Sequence, residues 1–160
     1  MRPSDLPHLI RRFFRSLRPA PAAPEEQRQV AALLTTEEAA VFWSQPRPDV
    51  RHALGCLDRL RSGGPARPEL ERAVLLHDIG KRRSGLGTLG RSLASGLAIV
   101  RLPRTGRMQR YLDHGDIGAD ELEALGAGSV EAAFARHHHA ARPDIVDPAD
   151  WDRLVAADAE

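Results

Sequence analysis

Between Asp49 and Arg61, Val50, Ala53, Leu54, Leu57 and Leu60 fall three and four residues apart, a spacing that puts them on one face of a helix. Similar spacing predicts helices over 25–34, 86–102, 106–113, 116–125 and 130–139, and one from Pro68 through PELERAVLLHDIG to Gly80. Start and stop signals punctuate these segments. Thr35-Thr36-Glu37-Glu38 offers a capping box ahead of AAVFWS, which presents Val41, Phe42 and Trp43 to a core. Pro46 and Pro48 break the chain, Ser62-Gly63-Gly64-Pro65 ends the next helix, and Pro68 suits a first turn. Ser129 is the expected cap of the 130–139 helix. Asp147-Pro148 reads as an N-cap followed by proline at N1, opening a final helix docked through Trp151, Leu154 and Val155. There is no useful period-2 stretch and no internal repeat, so the predicted fold class is all-α.

The N-terminal segment has a different character. In residues 8–18, Leu9, Ile10, Phe13, Phe14 and Leu17 form an apolar stripe, with Arg11, Arg12, Arg15 and Arg18 on the other face. Such a helix docks on its own domain or meets an anionic membrane surface or acidic partner. Pro19, Pro21 and Pro24 among alanines make a stiff linker. The expected organisation is therefore a basic arm and linker over 1–24 and one helical domain over 25–160.

Composition narrows the class. At 160 residues and 42% hydrophobic content the chain encloses one core. A formal net charge of +1 removes the basic field of a dedicated nucleic-acid binder, so no stable nucleic-acid binding is expected. Basic residues comprise 22 Arg and a single Lys, Lys81. Cys56 is the sole cysteine, which excludes an intramolecular disulfide framework and cysteine-rich zinc modules, fits a reducing cytoplasm, and reads as a small core residue. No apolar run approaches the ~20 residues of a membrane span. The first residues lack the apolar stretch and cleavage site of a signal peptide.

The sharpest chemical feature is His77-Asp78-Ile79-Gly80-Lys81, at the end of the apolar run AVLLHDIGK. Imidazole beside carboxylate suits a borderline divalent transition metal better than calcium, provided other helices close round the pair. HDIGK resembles the signature of the HD superfamily of metal-dependent phosphohydrolases, all-α proteins whose ligands run in the order His, His-Asp, Asp. His52 lies one helix upstream, and Asp158, in LVAADAE, resembles the last ligand of that family. The resemblance, over residues 36 to 160, implies a primary site of His52, His77, Asp78 and Asp158.

YLDHGDIGADELEALG is similar to a segment of the HDIG and HD-GYP branches in which the histidine, here His114, is a further ligand. Those branches also carry paired histidines, matched here within His137, His138 and His139. His138 belongs to either pairing, and the apolar spacing of Val130, Ala133 and Phe134 favours His137 as its partner, with His139 left open. The Gly-Tyr-Pro of the HD-GYP branch is missing, so that branch's cyclic-di-GMP hydrolysis is not carried over.

The resemblance implies one or two divalent ions (Mn, Fe, Co, Ni or Zn) and hydrolysis of a phosphomonoester or phosphodiester, in a nucleotide, by a metal-activated hydroxide. Asp78 would bridge the metals and Lys81 would meet the substrate phosphate, helped by Arg82. Asp113, Asp116 and Glu131 are the expected partners of the outer imidazole nitrogens. The alternatives are a catalytically silent HD module that senses a nucleotide or binds a partner, and an HD-type di-iron oxygenase.

Overall fold

The computed structural model describes residues 20–86 and 106–159, and these contain eight α-helices and no strand. The helix expected over 8–18, and that over 86–102 beyond Leu86, lie outside the described residues. The helices are α1 (Pro24–Leu33), α2 (Thr36–Trp43), α3 (Arg47–Ser62), α4 (Pro68–Leu76), α5 (Arg107–Leu112), α6 (His114–Ala124), α7 (Ser129–His137) and α8 (Pro148–Asp158), with a 3₁₀ turn over Ile79–Ser84.

Local chemistry sets most of the starts. Thr35 Oγ1 accepts from the Glu38 N–H at 3.2 Å while Glu38 returns a carboxylate to the Thr35 N–H at 2.9 Å, completing the capping box. Asp147 Oδ1 accepts from the N–H groups of Ala149 and Asp150 ahead of α8. Pro24 opens α1 rather than closing the linker. Before α7 the cap is Gly128, not Ser129, which already stands in the first turn.

Helix α4 sits at the centre, packed against α1, α3, α7 and α8. Neighbours on several sides explain why Leu70, Ala73, Val74, Leu75 and Leu76 are all fully buried and why the segment is apolar around its circumference. Phe42, Leu54, Leu57, Leu60, Leu122, Phe134 and Leu154 complete the core. Two expected core residues are displaced. Trp43 is 38% exposed and leans edge-on against the buried Phe42, because α2 buries only the face of Glu38 and Phe42 and the next position lies about 100° round from it. Val155 is 40% exposed, and Ala157, three residues beyond Leu154, packs inward in its place.

One buried charge cluster ties the layers. Arg72 of α4 donates to Glu131 of α7 at 2.8 Å, to Glu38 of α2 at 2.6 Å, and to the Leu33 carbonyl at the end of α1 at 3.3 Å. Glu38 and Glu131 are almost fully buried, so this arginine is what makes their charge tolerable.

The expected helix 68–80 divides. The α-helix ends at Leu76, His77 takes the cap position, Asp78 adopts φ −101° and ψ 5°, and the chain tightens into the 3₁₀ turn, with Lys81 N–H donating to the Asp78 carbonyl at 3.0 Å. Gly80 is the reason the turn fits. A Cβ there would stand 2.0 Å from the His114 carbonyl oxygen and 2.8 Å from the Gly118 nitrogen, so only glycine lets the turn lie on α6. Gly115 plays the same part between α6 and α7, where a Cβ would come within 2.9 Å of the Ala135 carbonyl oxygen.

Candidate metal centre

Close packing of the turn, α6 and α7 brings helix ends together. His77 follows α4, His114 opens α6, His138 follows α7 and Asp158 is the last residue of α8, while His52 comes from the flank of α3. Three of these are C-terminal ends, whose macrodipoles favour a positive charge between them.

Asp78 is the hub, 2% exposed at its side chain. Its Oδ2 lies 3.5 Å from His77 Nε2 and 3.8 Å from His52 Nε2; its Oδ1 lies 3.4 Å from His114 Nε2 and 3.5 Å from His138 Nε2. Each carboxylate oxygen therefore faces its own pair of imidazoles. Asp158 Oδ1 joins the first pair, 3.0 Å from His52 Nε2 and 3.1 Å from His77 Nε2. In the second pair His114 Nε2 and His138 Nε2 stand 3.3 Å apart.

The outer ring nitrogens determine what these atoms offer. His77 Nδ1 donates to the Val74 carbonyl at 2.9 Å, His114 Nδ1 to Tyr111 at 2.7 Å and His138 Nδ1 to Ala135 at 2.9 Å. A carbonyl only accepts, so each neutral ring carries its proton on Nδ1 and aims a bare Nε2 lone pair inward. The expected partners Asp113, Asp116 and Glu131 serve elsewhere: Asp113 accepts from Gln109, Asp116 pairs with Arg136 and Glu131 with Arg72. Carbonyls three residues back in sequence do that work instead. Lone pairs and carboxylate oxygens thus converge, and among the described residues neither His77 Nε2 nor Asp78 Oδ1 has an aligned hydrogen-bond partner. A donor set of this kind, buried and short of protons, fits a divalent transition metal.

Electrostatics agree with that arrangement. Burial pushes His138 down to about 3, reinforced by His77, which keeps the ring neutral. Burial would raise the Asp78 carboxyl, but the imidazoles of His77 and His114 and the Lys81 ammonium around it hold it well below the usual carboxylate range. Asp158 is likewise held low against its burial by His52 and His77. His52 is raised to about 10, chiefly by its hydrogen bond to Asp158.

The structure thus brings together His52, His77, Asp78, His114, His138 and Asp158 from the predicted set. His137 stands apart, facing a surface cleft with Ser129, Ala133 and Ile145. In its place His139 reaches the cluster, its ring centroid 3.9 Å from His138 and 5.4 Å from His114. The expectation assumed one continuous helix through 139; α7 ends at His137 and a turn closed by Ala140 N–H on the His137 carbonyl redirects the next side chains.

Lys81 is 18% exposed and donates to Asp78 Oδ2 at 2.5 Å. Burial lowers its pKa, but the adjoining Asp78 outweighs this and raises it, so it is a fixed cation. Arg82 is differently committed. Its guanidinium donates to both Glu121 oxygens at 2.7 and 2.5 Å, to Ser44 Oγ at 3.0 Å and to the Ile79 carbonyl at 3.1 Å, pinning the 3₁₀ turn to α6 and α2. Each of its three nitrogens is thereby engaged within the protein.

Cys56 is buried as expected, yet its Sγ stands 3.5 Å from His52 Nε2 and 4.0 Å from Asp158 Oδ1. The spacing His52-x-x-x-Cys56, one helical turn, is the signal that places both on one face of α3. Donor atoms of His52, Cys56, His77 and Asp158 lie within 4.8 Å of one another, as do those of His77, Asp78 and His138, and those of His114, His138 and His139.

No family model, curated protein or solved structure matches this chain. Among the described residues no helix is long and apolar enough to cross a membrane.

Proposed function

We propose that the chain is a metal-dependent phosphohydrolase of the HD type, with a binuclear centre that cleaves a phosphomonoester or phosphodiester, in a nucleotide. The observation that carries this reading is the division of Asp78: one oxygen toward His52 and His77, the other toward His114 and His138. A carboxylate so placed suits a bridge between two ions. His52, His77 and Asp158 would hold the first and His114, His138 and His139 the second, with Asp78 shared.

Bound there, divalent ions would supply Lewis acidity toward a phosphoryl oxygen and acidify water at the phosphorus. The chain's own groups do the rest. Backbone carbonyls of Val74, Tyr111 and Ala135 fix the imidazoles in one tautomer and orientation. Lys81 holds an ammonium at the rim of the cluster, where it meets a substrate phosphate. Arg82, through Glu121, keeps the turn that carries Lys81 in place. A reducing cytoplasm, which keeps Cys56 a thiol, is the setting we propose for it.

The test is metal analysis of protein purified without chelator, followed by assay of an aryl phosphate, an aryl phosphodiester and a nucleotide panel with Mn²⁺ or Fe²⁺ added. Close to two ions per chain and hydrolysis are expected. Protein that holds no metal and is inactive with every ion tried sinks the proposal.

A further inference from the structure

We infer that Cys56 is a metal ligand, completing a thiolate-containing quartet with His52, His77 and Asp158 on the first side of Asp78. The inference rests on the metal-centre reading but not on hydrolysis.

Three observations carry it. His52 and Cys56 are one turn apart on α3 and direct Nε2 and Sγ to the same point, 3.5 Å from each other. Across that point His77 Nε2, on a side chain 1% exposed, has no aligned hydrogen-bond partner among the described residues. With its proton on Nδ1 for Val74, His77 has nothing to donate toward Asp158 Oδ1 at 3.1 Å or toward the sulfur. The third is Arg59. Its Nη2 donates to Cys56 Sγ at 3.3 Å and its Nε to the Ala157 carbonyl at 2.6 Å, so a fixed cation backs the sulfur and holds the last turn of α8, with Asp158, against α3. Metal ligands are supported by outer hydrogen bonds of this kind, and a guanidinium balances the charge that a thiolate brings.

Ligation would release the Cys56 thiol proton and the His52 Nε2 proton to solvent, and the donors to the ion would be two imidazoles, one thiolate and one carboxylate. A sulfur donor shifts preference toward Zn²⁺, Fe²⁺ or Co²⁺ and away from the hard ions Mn²⁺ and Mg²⁺. The second group, His114, His138 and His139, has no sulfur, so the two halves of the centre differ in softness.

Cobalt reads this out without any assay of activity. Metal-free full-length protein, reduced with a phosphine, is titrated with Co²⁺. A near-ultraviolet sulfur-to-cobalt charge-transfer band is expected with the first equivalent, and since Cys56 is the sole cysteine the band has one source. Cys56→Ser should lose the band and keep visible cobalt absorption from the remaining ligands. If that variant does not fold, X-ray absorption of the zinc-loaded wild type should show one sulfur neighbour at about 2.3 Å. Cobalt bound with only nitrogen and oxygen signatures, or a zinc spectrum without sulfur, overturns the role of Cys56 and leaves the metal centre standing. No cobalt spectrum at all in the wild type overturns both.

Discussion

His114 Nε2 faces His138 Nε2 at 3.3 Å while the Nδ1 atom of each ring is tied to a carbonyl three residues back, Tyr111 and Ala135. With each Nδ1 directed at a carbonyl, the two Nε2 atoms present lone pairs to each other, and a cation between them would satisfy both. The third imidazole of that group separates two readings of the chain. His139→Ala should weaken the second metal by at least the ~10–100-fold seen when supporting groups of metal sites are removed, whereas His137→Ala should leave it unchanged. Metal content by mass spectrometry after dialysis against graded chelator decides; the reverse order of the two variants would reject the assignment of His139.

Lys81 and Arg82 are adjacent and both basic, but they have different partners, Asp78 for the first and Glu121 and Ser44 for the second. Lys81→Ala should lower kcat/KM for a phosphate ester ~10²–10³-fold, the usual loss for a group that stabilises developing charge, with metal content intact. Arg82→Ala should lower the thermal midpoint, since Glu121 loses its bidentate partner, and leave KM close to that of the wild type. A KM rise in the arginine variant at unchanged stability would show that it reaches substrate after all.

Metal-free protein should have a stability profile set in part by His52 and Asp158. His52 is raised to about 10 in the fold from 6.5, so its contribution is full below pH 6.5 and is lost as pH rises toward 10. Asp158 is lowered from 3.8, so its contribution is present above that value and is lost as pH falls below it. Metal binding needs His52 Nε2 free of its proton, so affinity should rise across the same alkaline range in which the metal-free fold weakens. Thermal midpoints from pH 5 to 9.5, with and without Zn²⁺, for wild type and His52→Gln measure this; an alkaline decline that persists unchanged in the metal-free variant would contradict it.

Gly80→Ala should cost about 3 kcal/mol, the upper range for overpacking, because the added methyl meets the His114 backbone rather than a movable side chain. Chemical denaturation measures the loss. Metal affinity should fall as well, since His114 cannot keep its distance from Asp78 once the turn is lifted off α6. An alanine variant with native stability and native metal content would mean that the turn does not need the close approach.

Helices and most caps were readable from the sequence because they depend on neighbours within one turn: the Thr35–Glu38 box and the Asp147 cap needed nothing more. The ordered histidines and aspartates were readable as a set for a different reason, since HDIGK and its companions resemble a known pattern. Side-chain direction beyond a helix end was not. His137 and His139 differ in where α7 stops, and the turn closed by Ala140 N–H on the His137 carbonyl carries no signal in the apolar spacing. Arg82 and Cys56 show the same limit. A guanidinium beside Lys81 reads as a phosphate donor, and its pairing with Glu121, 39 residues away, is not visible from that position in the chain. A lone thiol looks like filler until Arg59 and Asp158 come to its side.

His52 and Asp158 touch across 106 residues of sequence. During synthesis the histidine emerges first and waits, with the sulfur beside it, for an oxygen made 106 residues later. Until that helix docks, the first half of the cluster is open on one side and holds any ion weakly. Docking of α8 therefore closes the first half of the cluster, and a product cut short before α8 would release its metal rather than hold a half-built centre.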